Sequence, residues 1–147
     1  MTKYKFPSQF EYLDEIRSHV AREARAAGFS DQDIYALQLA ADEAVTNVIT
    51  HGYAGRATGS YQIDLDISAE QVTLVISDQG RAFDPQRAPM PNQTAGAEQR
   101  PPGGLGLYLI HQFMDVVRYE SAAGTNRLTL IVRDRQTADG GRQTADG

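Results

Sequence analysis

Glu43 and Asn47 stand four residues apart in a strongly helical stretch, so both project from one helix face. Alanines and aliphatics surround them, where a carboxylate and an amide are costly unless something uses them. A carboxylate that can take a proton and an amide oxygen that can ligate a hard cation suit phosphoryl transfer. The pair also reads as the solvated edge of a helix, so its meaning depends on what other segments bring to it.

Two later segments bear on that. Asp78 follows directly on an apolar strand pattern, with Gly80 two residues later and Phe83 beyond. A carboxylate at a strand end can accept a hydrogen bond from an exocyclic amine, a glycine lets a flat ring approach the backbone, and Phe83 could supply an apolar wall. Asp-x-Gly is equally common turn chemistry. Gly103, Gly104, Leu105, Gly106 and Leu107 come at the start of a helical pattern. Glycines there let backbone N–H groups converge on an anion, helped by the helix dipole; the plainer reading is a flexible hinge. The P-loop spacing and its lysine are missing, and no preceding βαβ unit supports a dinucleotide fingerprint. Without a Gly-x-Ser-x-Gly elbow, serine–histidine–carboxylate hydrolysis fits poorly. His51 and His111 are isolated and read as structural or capping residues rather than zinc ligands.

The elements that must carry these residues follow from periodicity. Residues 4–6 form a short edge strand ended by Pro7. Ser8 and Glu11 make an S-x-x-E capping box that predicts a helix over 9–27, with Phe10, Leu13, Ile16 and Val20 as its apolar stripe and Gly28 as its stop. Ser30 caps a second helix with Ile34, Leu37, Ala41, Ala44, Val45 and Val48 inward. Tyr61, Ile63, Leu65 and Ile67, then Val72, Leu74 and Ile76, alternate with polar residues across a connection at Ala69 and Glu70, predicting an antiparallel hairpin with one wet face. Residues 85–102 are rich in Pro, Asn, Gln, Thr and Gly and read as a lid or as plain disorder. A short helix over 104–114 and a hairpin around Gly124 follow. The tail 135–147 nearly duplicates one polar hexapeptide and is expected to be disordered and without catalytic role. The fold expected is α+β: a two-layer sandwich of a mixed, mainly antiparallel sheet with helices on one face, as a domain over 1–134.

Composition narrows the function classes. At 147 residues the chain is one domain. Its net charge of −5 argues against a direct nucleic-acid binder. There are no cysteines, so no disulfides, thiol nucleophiles or Cys-type zinc sites. Lys3 and Lys5 are the only lysines, remote in sequence from both glycine-rich segments. No apolar run approaches the roughly 20 residues of a membrane span, and no signal-peptide core opens the chain, which makes the cytoplasm the expected location.

Taken in order, the three segments resemble the ATP-binding boxes of the GHKL superfamily: Glu43 and Asn47 the N-box, Asp78 and Gly80 the first glycine box, and residues 103–106 the second. With the run NVITHGY at 47–53 and Phe83-Asp-Pro at 83–85, the chain is most similar to the single-domain anti-sigma-factor serine kinases of bacterial stress and sporulation regulation. Ala82 departs from a pattern in which many relatives carry a second glycine. The resemblance implies the Bergerat-type fold, ATP and Mg²⁺ as cofactors, Glu43 as general base and Asn47 as the magnesium ligand. It implies adenine reading by Asp78, Gly80 and Thr125, a phosphate cradle at Gly104 and Gly106, and a lid over 85–102. The implied partners are a sigma factor and an anti-anti-sigma (STAS-type) protein that is phosphorylated on serine or threonine. A possible homodimer is also implied. The alternative is a switch-kinase or a non-catalytic ATP-gated module that regulates a phosphatase.

Overall fold

A computed structural model describes residues 2–56, 58–82 and 110–134. Five strands form one sheet: β1 (Thr2–Pro7), β2 (Ser60–Ile67), β3 (Gln71–Asp78), β4 (Val116–Ala122) and β5 (Thr125–Arg133), in the order β1-β2-β3-β5-β4. All four pairings are antiparallel, so the expected mainly antiparallel sheet contains no parallel pair among the described residues. Two helices, α1 (Leu13–Ala26) and α2 (Asp31–Asn47), pack on one face.

Period-2 alternation selects that face. Tyr61, Ile63 and Leu65 on β2, Val72, Leu74 and Ile76 on β3, and Leu128, Leu130 and Val132 on β5 are buried, while the residues between them are half-buried or exposed. Helix α1 contributes Ile16, Val20 and Ala24, one side chain per turn. Helix α2 is buried over more of its circumference, through Ile34, Leu37, Ala40, Ala41, Ala44 and Val45. Its alanines let it pack closely against both α1 and strands β3 and β5.

The turns follow their residues. Ser30 Oγ accepts from the Asp33 N–H and caps α2. Gly28, at φ 93°, ends α1 with a Schellman pair in which the Phe29 N–H donates to the Ala24 carbonyl and the Gly28 N–H to Arg25. Ala123 and Gly124 both take positive φ in the two-residue turn between β4 and β5. The expected capping box does not form. Ser8 Oγ is buried with no partner among the described residues, and the chain enters α1 through a 3₁₀ turn, Phe10–Tyr12, whose cap position, Gln9, makes no side-chain cap bond. The Ser8 N–H bonds instead to the Gly59 carbonyl, because β1 pairing with β2 carries that residue into the sheet edge. Phe10, expected in the apolar stripe, is 50% exposed.

Candidate functional site

The α-helical ladder of α2 ends at Asn47 and continues as one π turn, Val48–Gly52. The Tyr53 N–H reaches back five residues to the Val48 carbonyl, at 2.9 Å. Such widened turns recur at functional sites. This one carries Gly52 beneath the end of β3, where the two backbones touch. The Arg81 N–H donates to the Gly52 carbonyl at 2.7 Å, and a Cβ on Gly80 would stand 2.5 Å from that same oxygen. Only glycine fits at position 80, for reasons of backbone approach.

Asp78 sits at this junction, 6% exposed. Its Oδ1 accepts from the Gly80 N–H at 2.8 Å and from Asn126 Nδ2 at 2.9 Å. Asn126 Nδ2 also donates to the Gly80 carbonyl, at 2.8 Å, and its own Oδ1 accepts from Ser121 Oγ, at 2.7 Å. The Asp78 carboxylate and the Gly80 carbonyl, both acceptors only, fix which end of the amide faces Asp78. The Asx turn expected of Asp-x-Gly is therefore present, with Oδ1 held twice by the protein. Tyr53 braces the same end of the sheet. Its hydroxyl donates to the Ser60 carbonyl at 2.6 Å and accepts from the Gln79 N–H at 3.0 Å.

An open pocket lies over this junction, lined by Ala44, Asn47, Val48 and Gly52 from the helix end, Ile76, Asp78 and Arg81 from β3 and its turn, and Tyr119 and Leu128 from β4 and β5. The mix of apolar walls with a few convergent polar groups is typical of small-molecule sites. The groups assembled here, apolar side chains, glycine backbone and one buried carboxylate, are of the kinds that can receive a planar heterocycle with an exocyclic amine.

Glu43 stands one turn before Asn47 on α2. Its Oε2 is buried and has no hydrogen-bond partner among the described residues. Burial is the main cause that raises its pKa above the usual 4.5, with the neighbouring Asp42 charge second. A half-buried carboxylate with one buried oxygen unpartnered among the described residues is costly to fold around. Asn47 is buried and lines the pocket. Among the described residues no cluster of three or more His, Cys, Asp or Glu could hold a metal. A cation held here would therefore take its remaining ligands from phosphate oxygens and water, which suits Mg²⁺.

The structure brings Asn47 and Asp78 into one pocket and Gly80 against Gly52 and Asp78 at its wall, with Glu43 one helical turn before Asn47. It does not bring Thr125 there. Strand alternation puts Thr125 on the uncovered sheet face, in a groove with Lys3, Lys5 and Ser77, whereas Asn126 faces Asp78. Phe83, Gly103, Gly104, Leu105, Gly106 and Leu107 lie outside the described residues, as do the segment 85–102 and the tail. Sequence reasoning missed Asn126, Arg81 and Tyr53. Stepping back by two from Leu130 and Leu128 would have put Asn126 on the buried face.

Residues 6–132 match the histidine kinase-like ATPase domain family. The chain belongs to that family. Within the histidine kinase-like ATPase domains, it is similar to serine-protein kinases. Serine-protein kinase RsbW of Bacillus licheniformis is 31% identical over 141 residues, covering 93% of this chain and 88% of that protein. RsbW of Staphylococcus epidermidis is 30% identical over 145 residues, covering 95% and 91%. Serine/threonine-protein kinase BtrW of Bordetella bronchiseptica is 34% identical over 96 residues, 65% of this chain and 68% of that one. Among solved structures, the RsbU and RsbW domains of Rv1364c from Mycobacterium tuberculosis share the fold, with a TM-score of 0.60 and 18% identity over 90% of this chain and 32% of that one. The resemblance carried by the three motifs is borne out at the level of family and fold.

Proposed function

We propose that this protein is an ATP-dependent protein serine/threonine kinase that acts as an anti-sigma factor, binding a sigma factor and phosphorylating a STAS-type anti-anti-sigma partner. The observation that carries this reading is Glu43 Oε2, buried without a hydrogen-bond partner among the described residues, one turn before Asn47, which lines a pocket with Asp78. Full-length similarity to serine-protein kinases supports it.

In this reading Asp78 and the Gly80 backbone hold the adenine, and Asn126 keeps Asp78 aimed. Asn47 is the one side-chain ligand offered to Mg²⁺. Bound ATP supplies the phosphoryl group, and Mg²⁺ neutralises its oxygens. Glu43 orients the acceptor hydroxyl and takes its proton. Its raised proton affinity brings it nearer the working pH, which favours a general base. Residues 103–107 form the phosphate cradle, Phe83 a wall of the base site, and residues 85–102 a lid. The kinase domain spans 1–134, with 135–147 a tail outside the chemistry. Among the described residues no helix is long and apolar enough to cross a membrane, and action in the cytoplasm on transcription under stress fits the proposed partners.

Calorimetric titration with Mg-ATP tests the nucleotide site. Wild type should bind, and Asp78→Asn should bind more weakly, because a pure acceptor becomes a group of mixed donor and acceptor character. Absence of heat from wild type at millimolar ATP would refute the proposal.

A further inference from the structure

Both lysines of the chain, Lys3 and Lys5, stand two residues apart on β1. They therefore share one sheet face, the face opposite the buried Phe6 and, among the described residues, the one without a helix on it. Register carries the Lys5 position across the sheet. Lys5 pairs with Gln62, Gln62 with Ser77, and Ser77 with Arg127. Lys3, Lys5 and Arg127 line one groove on this face, and Asp64 is the single carboxylate among its lining residues. Asp64 Oδ1 accepts from Gln62 Nε2, at 2.8 Å. None of the three cations has an ion pair among the described residues. A groove of net positive charge thus lies open in a chain whose net charge is −5. In the next row Val75 pairs with Thr129, and Ile131 follows on the same face; all three are half-buried.

We propose that this face docks an acidic segment of a partner protein, whose carboxylates Lys3, Lys5 and Arg127 receive. Three cations beside an apolar strip suit a polypeptide better than a phosphate backbone, which draws on a denser basic track. Spacing sets the segment. Lys5 and Arg127 stand three strand steps apart in one row, about 14 Å at ~4.8 Å per step. An extended segment laid across the strands covers that distance in about four residues. Two acids at that interval lie on the same side of an extended chain, so one can meet Lys5 and the other Arg127. Charges at an exposed groove steer encounter and select the partner more than they add affinity, and salt weakens them. The proposal is independent of the kinase reading, since nothing in it requires nucleotide.

Amide NMR of the whole isotope-labelled protein tests it, with a short peptide of alternating glutamate and threonine as the probe. The amides of Lys5, Gln62, Ser77 and Arg127 should shift saturably, and added salt should weaken the binding. Lys5→Glu with Arg127→Glu should reduce affinity about tenfold or more. Lys5→Gln with Arg127→Gln should weaken it in the same direction, and unmoved amides elsewhere show that the variants keep the fold. No saturable shift at millimolar peptide overturns the proposal, as do shifts centred elsewhere or equal affinity in both double variants. An oligothymidine that moves the same amides at lower concentration would overturn it in favour of a phosphate backbone. Sedimentation showing a wild-type dimer that both double variants dissolve would overturn it in favour of a second copy of this chain.

Discussion

Asn126 on β5 and Asp78 on β3 are register partners, and the amide Nδ2 lies 2.9 Å from the carboxylate Oδ1. The one contact joins sheet and site: it ties the ends of two neighbouring strands at a carboxylate that lines the pocket. Asn126→Ala should strip donors from both Asp78 and the Gly80 carbonyl. Removing partners from buried groups costs about 1–3 kcal/mol. Urea unfolding should show that loss, and calorimetry should show weaker ATP binding. Unchanged stability together with unchanged affinity would mean the contact is incidental.

Gly80→Ala tests the backbone contact. The added Cβ would meet the Gly52 carbonyl oxygen at 2.5 Å, and neither backbone can give way without moving the π turn or the Asp78 turn. Overpacking of this kind costs about 1–3 kcal/mol. A lowered melting temperature accompanied by lost nucleotide binding is expected. Thermal stability equal to wild type would show that the turns separate easily.

Much of this was legible beforehand, and the misses have physical causes. The hairpin of β2 and β3 was readable because alternation is local and its face is buried along its length. Ser30 and Gly28 were readable because each acts within its own turn. Ser8 misled because pairing of β1 with β2, a contact across more than fifty residues of chain, overrides a local cap. The π turn left no signal, since Val, Ile and Thr at 48–50 suit an α-helix end or a strand start alike. Thr125 was chosen by resemblance over Asn126, although the spacing from Leu128 already favoured Asn126. For the candidate site, the helix-borne pair and Asp78 were visible by type and spacing, while the network that aims Asp78 required the strand register.

The pH dependence of stability should carry a trace of Glu43. Its folded-state pKa is raised, by burial first and by Asp42 second. The folded protein therefore holds this proton more tightly than the unfolded chain does. The contribution to stability is fully present below the unfolded value near 4.5 and is lost as pH rises through the folded value. Glu43→Gln, permanently neutral, should melt higher than wild type at neutral pH, and the difference should close below about pH 4.5. A constant difference across pH would assign the effect to packing instead of charge.

Tyr53→Phe should loosen the strand ends beside Asp78. The lost hydroxyl bridges the Ser60 carbonyl and the Gln79 N–H, and stranding both costs about 1–3 kcal/mol. Faster amide exchange at Gln79 and Gly80 would register it. Exchange identical to wild type would remove Tyr53 from the support of the site.

Phosphate transfer is the most direct test of the whole account. The partner captured from native cells is incubated with labelled ATP, and mass spectrometry reads its serines and threonines. Wild type should leave phosphate on one of them. Glu43→Ala should retain nucleotide yet transfer at least ~100-fold more slowly, the lower range for a general base. A stable, nucleotide-dependent complex that carries no phosphate, or a Glu43→Ala protein as active as wild type, would contradict the account.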